Sequence, residues 1–97
     1  MAKQHEQAVA TLNCKVSLGM FSSERGVQIE LPDGRVITAL VDKNDVTVDR
    51  DPPKGGTVAG KVKVTVVEAA GDSVVVDLPQ PAISEGPRLI VPRALLG

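Results

Sequence analysis

Aromatic side chains are almost missing from this chain. Phe21 stands alone, with no tryptophan or tyrosine. A core built here has to be aliphatic, and a surface that grips nucleobases by stacking has one ring to offer. Cysteine is as scarce. With Cys14 alone, no internal disulfide can form, which suits a reducing compartment. The one histidine, His5, sits in a polar stretch with no ligand or base partner near it in sequence. That leaves any serine or cysteine nucleophile without an activating base. Neither an enzyme nor a cofactor or metal site is expected. No apolar run is long enough to span a bilayer, and Met1 to Gln7 lacks the apolar segment of a signal peptide. The expectation is a cytoplasmic protein with no membrane association. An excess of either charge is missing too: 11 basic and 12 acidic side chains leave a net charge of −1. That argues against a strongly basic nucleic-acid binder and leaves room for a local basic stripe.

Valine, proline and glycine take the place of what is missing. Valine dominates the apolar set and is stiff at χ1, which favours strands over helices. Seven prolines and nine glycines cut the 97 residues into short pieces. The length suits one core without staples, and the composition predicts an all-β domain.

The most organised stretch runs from Arg25 to Asp42. Val27, Ile29 and Leu31 alternate with Gly26, Gln28 and Glu30, so one set faces inward and the other faces solvent. Leu31-Pro32-Asp33-Gly34 closes a hairpin. Proline pre-sets one backbone angle, aspartate bonds its own backbone, and glycine accepts positive φ. Arg35 to Val41 returns as a second strand. Its apolar runs, Val36-Ile37 and Ala39-Leu40-Val41, suggest a strand covered on both faces or one crossing a barrel.

Residues 1–10 read as a flexible N-terminal arm, residues 11–81 as the β-barrel domain, and residues 82–97 as a C-terminal extension. Thr11 to Ser22 is the expected first strand, with Leu12, Cys14, Val16, Leu18 and Met20 on its apolar face. Cys14 is read there as a small buried hydrophobe rather than a reactive thiol. Phe21 points the other way and either covers a barrel mouth or stands out as a stacking platform. Lys43-Asn44-Asp45 is a turn and Val46-Thr47-Val48 a short strand. Asp51 to Gly56 is the clearest loop. Thr57 to Ala69 is the longest alternating run. It puts Val58, Gly60, Val62, Val64 and Val66 on one face, against Lys61, Lys63 and Thr65 on the other. Ala70-Gly71-Asp72 turns it into a return strand, Ser73 to Leu78, which Pro79-Gln80-Pro81 is expected to end. Ile83 to Pro87 reads as loop and Arg88 to Val91 as a last edge strand. Ala94-Leu95-Leu96 is read as an apolar plug.

Two motifs invite chemistry and fail on inspection. Gly55 to Lys61 has the G-x-x-x-x-G-K spacing of a phosphate-binding loop. However, Val62 replaces the hydroxyl that would hold magnesium, and the alternation that follows is that of a strand, not a helix. Asp42, Asn44, Asp45, Asp49 and Asp51 form an acidic cluster, but a calcium loop counted from Asp42 would need glycine and glutamate where Thr47 and Pro53 stand. What remains is a basic, sequence-tolerant face. Its candidate nucleic-acid contacts are Lys15, Phe21, Arg25, Gln28, Arg35, Lys61 and Lys63.

Val27 to Ala39, V-Q-I-E-L-P-D-G-R-V-I-T-A, resembles the hairpin of S1-type OB barrels, the family that includes a small bacterial translation initiation factor. Gly55 to Val66 resembles the fourth strand of such a barrel, and Ser73 to Leu78 would be the fifth. The likeness covers about Leu12 to Leu78. It implies binding of single-stranded RNA on the face of strands two and three. Gln28 stands where such domains commonly carry an aromatic residue, and Asp42 where many carry a histidine. The same hairpin has a weaker likeness to Sm-like barrels, with Gly86 to Leu96 a faint candidate for their second motif. The expected fold is therefore a small, closed or partly open all-β barrel of OB/S1 type, with five to seven strands. Two functions are open. One is an RNA-binding module acting through a weak basic face. The other is a structural or protein-interaction barrel that has lost nucleic-acid binding and meets a partner, or a second copy, through an edge strand.

Overall fold

The computed structural model describes residues 8–82 and 86–97. It is all-β. The strands are β1 (Ala8–Leu18), β2 (Glu24–Glu30), β3 (Val36–Asp42), β4 (Val46–Val48), β5 (Thr57–Ala70), β6 (Ser73–Ala82) and β7 (Gly86–Pro92). Single 3-10 turns occupy Lys43–Asp45 and Arg93–Leu95, and no α-helix occurs among the described residues. Every pairing is antiparallel, in the order β4-β5-β1-β2-β3-β6-β7 with an added β5–β6 contact.

β5 is the spine. From Thr57 to Val66 one of its edges carries β1. The other edge carries β4 opposite Gly60–Val62, then β6 opposite Thr65–Ala70. A bulge between Val66 and Glu68 marks the irregularity in that second pairing and adds local twist. The curled sheet forms a half-barrel of 50 × 31 × 25 Å. Among the described residues its two margins meet at one pair, Ala39 with Ala82. A second, smaller seam lies at the chain's end. Leu96 bridges Leu12, the Gly97 amide donates to the Thr11 carbonyl at 2.9 Å, and the Thr11 hydroxyl donates to the Gly97 carbonyl at 2.6 Å.

The core is the aliphatic one that the composition demands. Leu12, Val16, Val27, Ile29, Ile37, Val62, Val64, Val74, Val76 and Val91 are fully buried, with no buried polar or charged residue among those described. Each such side chain contributes roughly 1.5–3 kcal/mol through burial. Gly60 sits where β4, β5 and β1 crowd together. A Cβ there would lie 2.7 Å from the Val48 side chain, 2.8 Å from the Thr47 carbonyl and 2.8 Å from Val16. Gly34 closes the β2–β3 hairpin at φ 93°, a conformation that favours glycine.

Four sequence expectations are corrected. The first strand runs from Ala8 to Leu18 rather than Thr11 to Ser22, and Met20, expected on the apolar face, is 87% exposed. β3 is not covered on both faces: Ile37, Ala39 and Val41 are buried while Val36 and Leu40 are exposed. Pro79 and Pro81 do not end the return strand, because β6 continues to Ala82. The β6–β7 register instead skips from Asp77 to Ala82. That gap is where Pro79 and Pro81, with Pro87 opposite, have no N–H to give the ladder. Gly86 and Pro87, expected in a loop, begin β7. The expected plug is present: Leu95 and Leu96 pack against the core. Residues 1–7 of the expected arm, His5 with them, and residues 83–85 lie outside the described residues.

Candidate functional site

The outer face of β1, β2 and β5 gathers four of the candidate contacts. Lys15 pairs with Gln28 across β1–β2 and with Ala59 across β1–β5. Lys61 stands between Asn13 of β1 and Thr47 of β4. Lys63 lies opposite Thr11. All three lysines are exposed, and they share one face because they alternate with the buried Val16, Val62 and Val64. The Lys15 ammonium, however, lies 3.0 Å from a Glu30 carboxylate oxygen, which cancels much of its pull on a phosphate. Lys61 and Lys63 carry the remaining positive charge of this face.

The other three candidates are elsewhere. Arg25 shares the parity of Val27 and pairs with Leu18 and Val41, so it belongs to the core side. Its guanidinium donates to the carbonyls of Ser22 at 3.0 Å and Glu24 at 2.8 Å, which ties the β1–β2 turn down. Arg35 sits in the hairpin turn against Asp33, with its Nε 2.9 Å from the carboxylate. The Asp33 carboxyl is held below the ordinary aspartate range, first by the Arg35 backbone amide and then by its guanidinium. Phe21 is 69% exposed in the turn after β1, well along the strand from Lys61, so it offers no ring to a strand laid over the lysines.

The face of strands two and three, where the family likeness implies RNA contact, carries Val36, Thr38 and Leu40 from β3 beside Gln28 and Glu30 from β2. It is aliphatic and neutral to acidic, with no aromatic residue. Gly26 lies beside Leu40, and its missing side chain leaves room for the Ser17 hydroxyl, which would lie 2.7 Å from a Cβ there.

A cleft opens at the mouth of the half-barrel, beside the Ala39–Ala82 pair. Phe21 and Leu40 form its apolar walls, Glu24 and Asp42 its acidic side, and Gln80 its far rim. Alternation decides which backbone groups of β3 face the opening. The Leu31 amide bonds the Arg35 carbonyl and the Lys43 amide bonds the Ser23 carbonyl. The β2–β3 register therefore puts the backbone groups of Val36, Thr38, Leu40 and Asp42 on the side away from β2. Leu40 and Glu24 were not singled out from sequence, and Asp42 only as a member of the acidic cluster and as the residue standing where many S1-type domains carry a histidine. The signal was there: if Ile37, Ala39 and Val41 face the core, Leu40 and Asp42 must face out.

The remaining chemical candidates are structural. Burial pushes the Cys14 thiol up to about 11, so at neutral pH it is a packed thiol and not a thiolate. Lys61 of the phosphate-loop spacing lies inside β5, with no helix after it. Asp42 caps the following 3-10 turn by accepting from the Asn44 amide at 2.8 Å. Among the described residues no three metal-ligating side chains come together, and no helix is long and apolar enough to cross a membrane. Comparison with protein-family models, curated proteins and solved structures finds no match to this chain. The OB/S1 likeness thus rests on the hairpin residues and on a half-barrel compatible with a small-barrel fold.

Proposed function

We propose that this chain is a non-catalytic interaction barrel that takes up an extended peptide at its open mouth. The observation that carries this reading is the opening beside the Ala39–Ala82 pair, the one β3–β6 pair among the described residues. The Leu40 carbonyl and the Asp42 amide of β3 line an opening walled by an exposed phenylalanine and leucine. A strand added along β3 gains main-chain hydrogen bonds, and alternate side chains find the Phe21–Leu40 wall. The Glu24 and Asp42 carboxylates favour a peptide that brings a basic residue. The test is selection from a random peptide library, followed by mapping of amide shifts on binding. Peptides that perturb Leu40–Asp42 and Phe21, and that lose affinity with Leu40→Lys, support the reading. Selected peptides that bind elsewhere, or ignore Leu40→Lys, sink it.

The second reading is an OB/S1-like module that contacts single-stranded RNA. It is favoured by Lys61 and Lys63, two exposed neighbours on one face of β5 with hydrogen-bonding side chains of Asn13, Thr11 and Thr47 around them. Two phosphate contacts to a single strand predict a slope of about −1.4 in log affinity against log salt. Anisotropy of a labelled oligouridine should show that slope and lose it in the Lys61→Gln, Lys63→Gln double variant. No binding at low salt removes this reading.

A further inference from the structure

The free edge of β3 at the mouth is one residue long, and a pair of carboxylates stands at its end. The β2–β3 ladder fixes the phase, because the Leu31 amide bonds the Arg35 carbonyl and the Lys43 amide bonds the Ser23 carbonyl. Ala39 and Val41 therefore bond β2, while Leu40 and Asp42 turn their backbone groups away from it. Not all of those groups are free. Ala39 meets Ala82 in the non-bonded phase, which sets the Leu40 amide against the Pro81 carbonyl. Asp42 is the N-cap of the Lys43–Asp45 turn, so its carbonyl takes the first bond of that turn. What is left is the Leu40 carbonyl and the Asp42 amide, one on each side of Val41. An edge of this length holds one residue of a strand between its two bonds. An internal stretch of chain laid along it would run on past Asp42 into the Lys43–Asp45 turn, with no ladder to follow. A chain that begins at Asp42 meets no such obstacle.

Glu24 and Asp42 decide which end of a chain fits. They stand directly opposite each other across β2–β3, in the non-bonded phase that brings side chains closest. Like charges so placed repel, and among the described residues no cation pairs with either. Each has one oxygen committed. Glu24 Oε1 accepts from the Met20 amide at 2.8 Å, and Asp42 Oδ1 accepts from the Asn44 amide at 2.8 Å. The other oxygen of each is left for a ligand, and both side chains line the cleft with Phe21, Leu40 and Gln80. We infer that the mouth takes the amino terminus of a peptide, with its α-ammonium between the Glu24 and Asp42 carboxylates. This rests on the peptide reading of the cleft and names the part of the peptide that is held. In a peptide running antiparallel to β3, the carbonyl of the first residue accepts from the Asp42 amide. The amide of the third donates to the Leu40 carbonyl, and the second lies opposite Val41. The first and third side chains then share the outer face with Asp42 and Leu40, where an apolar third residue meets the Phe21–Leu40 wall. The cleft holds about 320 Å³, at the small end of the roughly 300–1,000 Å³ usual for ligand pockets, which suits a chain end of two or three residues. A carboxyl terminus would bring a third negative charge to the pair and is turned away.

The experiment selects peptides on the full chain from a random library displayed with free amino termini. Each selected peptide is then synthesised in two forms, free and amino-acetylated, and its binding is followed through the amide shifts of Leu40–Asp42. Acetylation should weaken binding by about tenfold or more, the effect of losing a hydrogen bond to a charged group. Glu24→Gln and Asp42→Asn keep the oxygens that accept from the Met20 and Asn44 amides. Each should therefore leave the fold intact, weaken the free form and spare the acetylated one. Acetylated peptides that bind the mouth as tightly as free ones overturn the inference while leaving the mouth a peptide site. So does a preference for the free terminus that survives the Glu24→Gln, Asp42→Asn double variant. If no selected peptide shifts Leu40–Asp42, the peptide reading itself has failed and the inference falls with it. A lysine side chain as the true occupant would show itself as the first of these outcomes.

Discussion

Two regions of this molecule are held together in different ways. In the body, formed by β1, β2, β3 and the first half of β5, ladders run unbroken and side chains alternate cleanly about a fully buried aliphatic layer. In the arm, formed by the second half of β5 with β6 and β7, the β5–β6 register breaks at Val66/Glu68 and the β6–β7 register breaks between Asp77 and Ala82. There the structure adds polar clasps. Arg88 grips Asp77, and the Arg93 guanidinium donates twice to the Gly71 carbonyl, at 3.0 and 2.8 Å. A ladder that loses donors to proline needs other fasteners, and guanidinium forks supply them. The comparison predicts that the body carries the stability and the arm opens first.

The largest effect that tests this contrast is expected from a matched pair of truncations. Leu12→Ala should cost about 2–5 kcal/mol in urea unfolding, and Leu89→Ala should fall near the lower end of that range because an edge strand can settle into the gap. A larger loss at Leu89 would reverse the ranking of the two regions. Gly60→Ala should come next, at about 1–3 kcal/mol, since the new methyl meets the Thr47 carbonyl as well as two valine side chains. Arg93→Ala should shift global unfolding by less, within about 1 kcal/mol. It should still speed amide exchange at the Asp72–Arg93 closure and leave the body unchanged. Uniform loss of protection across both regions would show that they are not separable. The smallest effect is pH-dependent. The hydrogen bond from Arg88 lowers the Asp77 carboxyl below its ordinary value of 3.8. Its contribution is therefore present above that value and fades as pH falls through the lowered native one. An acid titration should loosen the Arg88–Asp77 clasp and speed amide exchange in β6 and β7, and Asp77→Asn should remove that pH dependence.

Much of this architecture could be read from residues alone. The faces of β2 and β5 follow from period two, and Val27, Ile29, Val58, Val62 and Val64 are buried as their spacing demands. The turn at Pro32-Asp33-Gly34 and the apolar tail at Leu95-Leu96 were equally legible. The site was less so. Arg25 looked like a surface cation, yet it sits two residues before Val27 and so shares the core's parity. Arg35 and Lys15 looked free, and only three-dimensional placement brings Asp33 and Glu30 to them. Pro79 and Pro81 looked like a stop. Local propensity says nothing of a strand that bends through them and recovers at Ala82, because the contact that rewards it, with Ala39, lies far off in sequence.

The seam between Thr11 and Gly97 joins residues 86 positions apart. During vectorial synthesis the first strand must wait, with one margin bare, until Leu96 and Gly97 have left the ribosome. A contact of such separation is late and slow to form. Nascent chains stalled upstream of Leu96 should therefore expose the apolar side of Leu12, which makes them natural clients for a holding chaperone.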